Sequence, residues 1–296
     1  MIRDLFFYSS GEVKLFFKGM IAMILPAIIM LIVRYPYYPK IIAYKAFREC
    51  ARVSMNWETR HWQELAGDNF ILRFQAGDEN VAQLVLETAE SSFTPVNELM
   101  GYDSKIKIPI ILYPDNISLN KSFGWPADER AMGVYWAGVI RVLSPKAWIE
   151  GEDLAARFQS EGPIAHEYAH FVVDYLASGN YPRWLTEGIA QRIERKITGY
   201  EMPLTGTETF YPVEDMDSKF DLLPNQSMAY RQSLAMVDFF VLTFGQDPLY
   251  YVLQELEKGR SLDQAFQTAL GCNVKEFESR FFGAGIGELQ SNINKK

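Results

Sequence analysis

The chain has 296 residues, 48% hydrophobic and 14% aromatic, enough for one large or two modest folded domains and against a disordered chain. Its net charge of −8 is unevenly spread: residues 1–62 carry nine Lys/Arg against four Asp/Glu, a net of +5, which leaves −13 on residues 63–296. So acidic a body argues against nucleic acid as a partner, whereas the basic N-terminal segment suits a membrane surface.

Residues 1–18 mix aromatics with Arg3, Lys14 and Lys18, and the fifteen residues from Gly19 to Val33 carry no charge. Adding Leu15, Phe16 and Phe17, with Lys18 snorkelling to the headgroups, gives about nineteen residues, enough to span a bilayer. Tyr35, Tyr37 and Tyr38 follow at the position of an interfacial aromatic belt. No A-x-A-like cleavage site follows the run, so the expectation is a retained N-terminal transmembrane helix rather than a cleaved signal. Three Lys/Arg precede the span and five lie in residues 34–52, a bias toward a cytoplasmic body. A single N-terminal anchor often leads an extracytoplasmic domain instead, and the sequence leaves both orientations open.

The chain divides into an anchor and juxtamembrane segment, 1–62, and a body, 63–296. Residues 40–66 read as helical, with Ile42, Phe47, Val53, Trp57 and Trp62, and His61 lies here as a partly exposed side chain. Phe70 to Gln75 is a short strand. Asp78 stands where it would cap a helix from Glu79 to about Met100, with Val81, Leu84, Val85, Thr88, Ala89 and Ser92 on its buried side. Lys107 to Tyr113 is a second strand. Met132 to Trp136 and Val139 to Leu143, separated by Ala137-Gly138, read as a hairpin. Helices follow from Asp153, then a polar stretch over 199–227, then helical segments near 228–244, 247–258, 261–270 and 274–282. Strand, helix, strand and hairpin followed by helices predict an α+β fold, a small mixed sheet with a helix on one face above a mostly helical lower half. Cys50 and Cys272 form no metal-ligand pattern, and pairing and free thiols both remain open.

Two of the three histidines fall in Pro163-Ile-Ala-His-Glu-Tyr-Ala-His-Phe171. On a helix His166 and His170 project from one face, one turn apart, and can both reach one metal ion. Glu167 lies beside them where a water-activating carboxylate stands in the H-E-x-x-H pattern of zinc peptidases. Catalytic zinc takes three protein ligands and one open position, so a third ligand must come from elsewhere. Glu187 is the candidate, opening the next helix after a reversal at Gly179-Asn-Tyr-Pro182, with Gly188 allowing close helix approach. Asp174 continues the histidine stripe by one more turn, where it could orient a ligating imidazole or stand solvated.

His-Glu-Tyr-Ala-His170 followed by Pro182-Arg-Trp-Leu-Thr-Glu-Gly188 resembles the gluzincin metallopeptidases, specifically their peptidase MA-like families with H-E-x-x-H and then P-x-W-x-x-E-G. Gly133-Val-Tyr with its hairpin, Ala229-Tyr-Arg-Gln-Ser233 and Ser261-Leu-Asp-Gln-Ala-Phe266 extend the similarity over roughly residues 68–282. The first 62 residues have no counterpart in it. The resemblance implies a zincin-like fold, one Zn2+ per chain on His166, His170 and Glu187, Glu167 as general base, and a peptide or protein substrate. It also implies a downstream Tyr or His that stabilises the oxyanion; Tyr230 is the candidate, since no histidine follows His170. An extended substrate would pair with the strand Val139 to Leu143. The expected function is a membrane-anchored metallopeptidase. The rivals are a peptidase-like fold kept as a binding or scaffold module, and a hydrolase of a non-protein amide or ester.

Overall fold

Helix α1 (Tyr38–Glu58) opens with proline in its first turn, where the missing N–H costs nothing. It turns Ile41, Arg48 and Met55 inward and leaves Ile42, Phe47, Val53 and Trp57 exposed. The computed structural model describes residues 20, 22–26, 29–30, 33–201 and 210–284. Of the expected transmembrane span, residues 15–33, about half lies outside these. Among the described residues no helix is long and apolar enough to cross a membrane.

The helical stretch expected over 40–66 stops at Glu58. Gln63–Ala66 instead forms β1, antiparallel to β2 (Phe70–Phe74) with Gln63 opposite Phe74. Four mostly exposed residues carry no clear alternation, so their pairing with β2 decides their conformation. The chain then runs through α2 (Glu79–Met100), β3 (Ile108–Tyr113), a short α3 (Asn116–Phe123), β4 (Gly133–Trp136) and β5 (Val139–Leu143). Asp78 precedes α2 but makes no cap; its Oδ1 accepts instead from Ser144 Oγ at 2.8 Å. The missed helix α3 is capped by Asp115, whose side chain accepts from the Ser118 amide at 2.7 Å.

The five strands run in the order β1-β2-β3-β5-β4, with β2–β3 and β3–β5 parallel and the outer pairs antiparallel. The mixed sheet is as expected; the substrate-pairing strand is not. Val139–Leu143 is interior and buried at every position, and the hairpin turn at Ala137-Gly138 sets β4 outside it as the terminal strand. Both turn residues have positive φ, 47° and 84°, as a two-residue hairpin of primed type requires. Alternation along the strands splits the core. Phe70, Leu72, Ile108, Ile110, Ile140 and Val142 pack toward α2 and the helical half, while Ile111, Tyr113, Val139 and Leu143 meet Met55 and Leu119 on the other face.

The helical half consists of α4 (Leu154–Glu161), α5 (Ile164–Ala177), α6 (Arg183–Thr198), a short α7 (Val213–Ser218), α8 (Gln226–Phe244), α9 (Asp247–Glu257), α10 (Leu262–Leu270) and α11 (Val274–Gly283). The polar stretch after α6 thus holds α7, and its residues 202–209 lie outside the described set. Gly188 does permit a close approach, but by α8: a Cβ there would sit 2.2 Å from the Ser233 carbonyl oxygen. Cys50 is exposed, Cys272 is buried, and both are free thiols.

Candidate active site

Helix α5 buries Ile164, Tyr168, Phe171 and Val172 in the core, which turns His166 and His170 toward a cleft of about 1220 Å³. Its first turn presses on β4. A Cβ on Gly133 would come within 2.7 Å of Pro163 Cβ and 2.8 Å of Glu167 Cγ, so only glycine lets strand and helix meet. That approach brings the Tyr135 amide to 2.5 Å from Glu167 Oε2, onto which it donates.

The reversal over residues 178–182 is fixed by Ser178 and Gly179 at positive φ and by Asn180, whose Nδ2 donates to the carbonyls of Leu256 and Arg260. It sets α6 antiparallel beside α5 and brings Glu187 to the histidines. His170 Nε2 lies 3.0 Å from His166 Nε2, and Glu187 Oε2 lies 3.4 Å from each. Tetrahedral zinc with ligands at about 2.0–2.1 Å separates them by about 3.4 Å, so the trio fits that ion. Glu187 Oε2 is buried and accepts no hydrogen bond within geometric limits, which is the other mark of a ligand atom. Among the described residues these three form a group able to hold a metal.

Both imidazoles are held from behind. His166 Nδ1 donates to Glu194 Oε2 at 3.1 Å, and Thr186 Oγ1 lies 2.6 Å from His170 Nδ1. Each Nε2 therefore faces the shared centre. Glu194 follows Glu187 by two helical turns on one face, a spacing readable in the sequence but passed over. Thr186 reaches across from a neighbouring helix and gives no such signal. Asp174 orients neither histidine. It is fully buried and accepts from Arg48 Nη1 at 2.9 Å, Tyr135 Oη at 2.5 Å and Tyr181 Oη at 3.3 Å. Neither sequence alternative holds, because α1 and β4 bring it partners from up to 126 residues away.

Burial pushes the His166 pKa down, but the Glu187 and Glu194 carboxylates outweigh it and hold it well above the usual range. Glu187 is held well below its ordinary value: burial raises it, and the two imidazoles overcome that. A metal taking these atoms would displace protons held by this pairing. Glu167 is raised, first by burial, with His166 and His170 opposing. Tyr230, on α8, lines the same cleft, and its Oη accepts from Arg183 Nη2 at 3.3 Å. Burial and the Glu187 charge push its pKa up to about 12, so it keeps its proton. Arg183 also donates from Nε to Glu187 Oε1 at 2.7 Å, an i,i+4 pair that the sequence carried unread.

Comparison with known proteins gives the geometry a family. The chain is 20% identical over 243 residues to the uncharacterized protein YhcO of Bacillus subtilis (strain 168), covering 75% of this chain and 71% of that one. Among solved structures it is similar to an aminopeptidase A of Legionella pneumophila in complex with aspartic acid, with TM-score 0.44 and 11% identity. That match covers 74% of this chain, which spans about a quarter (27%) of the Legionella chain. The family model of the Peptidase MA superfamily matches residues 88–284, from the middle of α2 to the end of α11 and across the whole His166–His170–Glu187 centre; the chain belongs to that superfamily.

Proposed function

We propose that the protein is a gluzincin-type zinc metallopeptidase held at a membrane by its N-terminal segment. The observation that carries this reading is the trio of Nε2, Nε2 and Oε2 atoms 3.0–3.4 Å apart, opening on a cleft beside the buried carboxylate of Glu167. Zinc on His166, His170 and Glu187 would supply Lewis acidity, which acidifies water and polarises a carbonyl. Glu167, raised in pKa by burial and steered by the Tyr135 amide, takes the proton of the attacking water and returns it to the leaving amine. Tyr230 accepts from Arg183 and so has its own proton free to donate to the oxyanion. Strand β4, at the end of the sheet and on the cleft wall, offers its edge to an extended peptide. The uncharged run Gly19 to Val33, the tyrosines after it and the +5 charge of residues 1–62 support the tether.

The test is metal content of the full chain purified without chelator, beside Glu187→Ala. The expected result is about one zinc per chain, held far more weakly by the variant. A folded, monodisperse protein that takes up no zinc when supplied would overturn the enzyme reading.

A further inference from the structure

Arg141 is the one residue of β5 that does not belong in an apolar interior. It is 3% exposed, and burial lowers its pKa, opposed by the Tyr113 phenol, which hydrogen-bonds the guanidinium, and by the Glu58 carboxylate. Its buried Nε and Nη1 have no hydrogen-bond partner, and among the described residues no carboxylate forms an ion pair with it. A buried guanidinium without a carboxylate partner is destabilising wherever it merely fills space. This one is held in place all the same: its Cζ lies 4.3 Å from the Phe123 ring centre and 5.4 Å from that of Trp136. Arg141, Phe123 and Trp136 all line the cleft that contains Glu167.

The sheet register says what it faces. Arg141 pairs with Val134 on β4, so both side chains leave the sheet on one face, opposite the face that carries Ile140. A peptide added to the outer edge of β4, where the Tyr135 amide already donates to Glu167, would put every second side chain on that same face, beyond Val134. Its backbone would stand two strand spacings from β5, about 9.5 Å, a gap that an arginine and an acidic side chain close from opposite ends. We propose that Arg141 is the anion-recognising residue of this cleft and selects substrates bearing a carboxylate at one position. Resting on the peptidase reading, the assignment names the substrate class. Phe123 and Trp136 hold the fork, and the carboxylate supplies the partner that the fold withholds.

The experiment is equilibrium binding of short peptides to the full-length Glu167→Gln protein, with Asp or Glu walked through each position and compared with Asn or Gln. Each is made as C-terminal acid and amide, which separates a side-chain from a terminal carboxylate. The expected result is at least tenfold tighter binding of the acidic member at one position. That preference should vanish in the Arg141→Met background and survive in Arg141→Lys, while neutral peptides bind both alike. Arg141→Met should also leave the Tm unchanged or raised, because it removes a buried charge that no carboxylate balances. Equal binding of every acid and its amide, no measurable binding of either, or a preference that survives Arg141→Met would overturn the assignment. Turnover by the wild type keeps the two proposals apart: cleavage without acid preference sinks this one alone, and acid-selective binding without cleavage sinks the peptidase reading alone.

Discussion

His166, His170 and Asp174 stand one turn apart along α5, yet the first two belong to an open cluster and the third to a closed one. At the open end two imidazole nitrogens and a carboxylate oxygen converge, and Glu187 Oε2 lacks a hydrogen bond although it is buried. At the closed end both Asp174 oxygens are occupied, by a guanidinium and a phenol on Oδ2 and by a second phenol on Oδ1. Side-chain direction is therefore shared, and what arrives from other elements decides the outcome. A site left short of a partner is poised for a ligand; one with both oxygens occupied is a fastening. Tyr135 joins the two, with its amide on Glu167 and its phenol on Asp174.

The largest expected effect lies at the open end. Glu167→Gln keeps the shape and all three candidate ligands but removes the proposed base, so turnover should fall on the order of 10³-fold or more with zinc content unchanged. Parallel measurement of peptide cleavage and bound zinc checks this. Loss of zinc together with activity would mean that Glu167 supports the metal rather than the chemistry.

The closed end should answer in stability instead. Arg48 and Asp174 are both buried, with side chains 7% and 0% exposed, and Arg48→Met leaves the buried carboxylate without its cation. Breaking such a pair costs about 3–5 kcal/mol. Urea unfolding of the variant beside the wild type reads that loss, with zinc stoichiometry of the folded protein unchanged. An unaltered midpoint would remove the distinction between the two clusters.

How much was legible follows the same division. The convergence of His166, His170 and Glu187, with Glu167 beside it, was legible because His166, Glu167 and His170 lie within five residues on one helix and Glu187 follows a recognisable reversal. The hairpin was legible from Ala137-Gly138, and most helices from their apolar period. Strand β1 was not, because four mostly exposed residues become a strand only by pairing with β2. The edge position of β4 was not, since hairpin sequence does not say which of its strands pairs with β3. The fate of Asp174 depends on Arg48, 126 residues earlier and outside the matched family region, where no periodicity could have pointed.

Tyr230 sharpens the open end further. Tyr230→Phe removes the phenolic proton but leaves the three candidate ligands and Glu167 in place, so turnover should fall about 10²–10³-fold with zinc affinity unchanged. Steady-state kinetics should assign the loss to kcat rather than KM. An unaffected kcat would reduce Tyr230 to a partner of Arg183 at the cleft rim.

The smallest effect is also the closest test of the comparison. Glu194 stands to His166 much as Arg48 stands to Asp174, a buried partner behind the helix face, but it holds an imidazole whose other nitrogen joins the open cluster. Glu194→Gln keeps a carbonyl oxygen able to accept from Nδ1 and loses only the charge, so the fold should tolerate it. What should change is the hold on the metal: competition with a chelator should give zinc affinity lower by about 10–100-fold. A stability loss matching that of Arg48→Met, with zinc affinity intact, would make Glu194 a fastening too and confine the open cluster to the three convergent atoms.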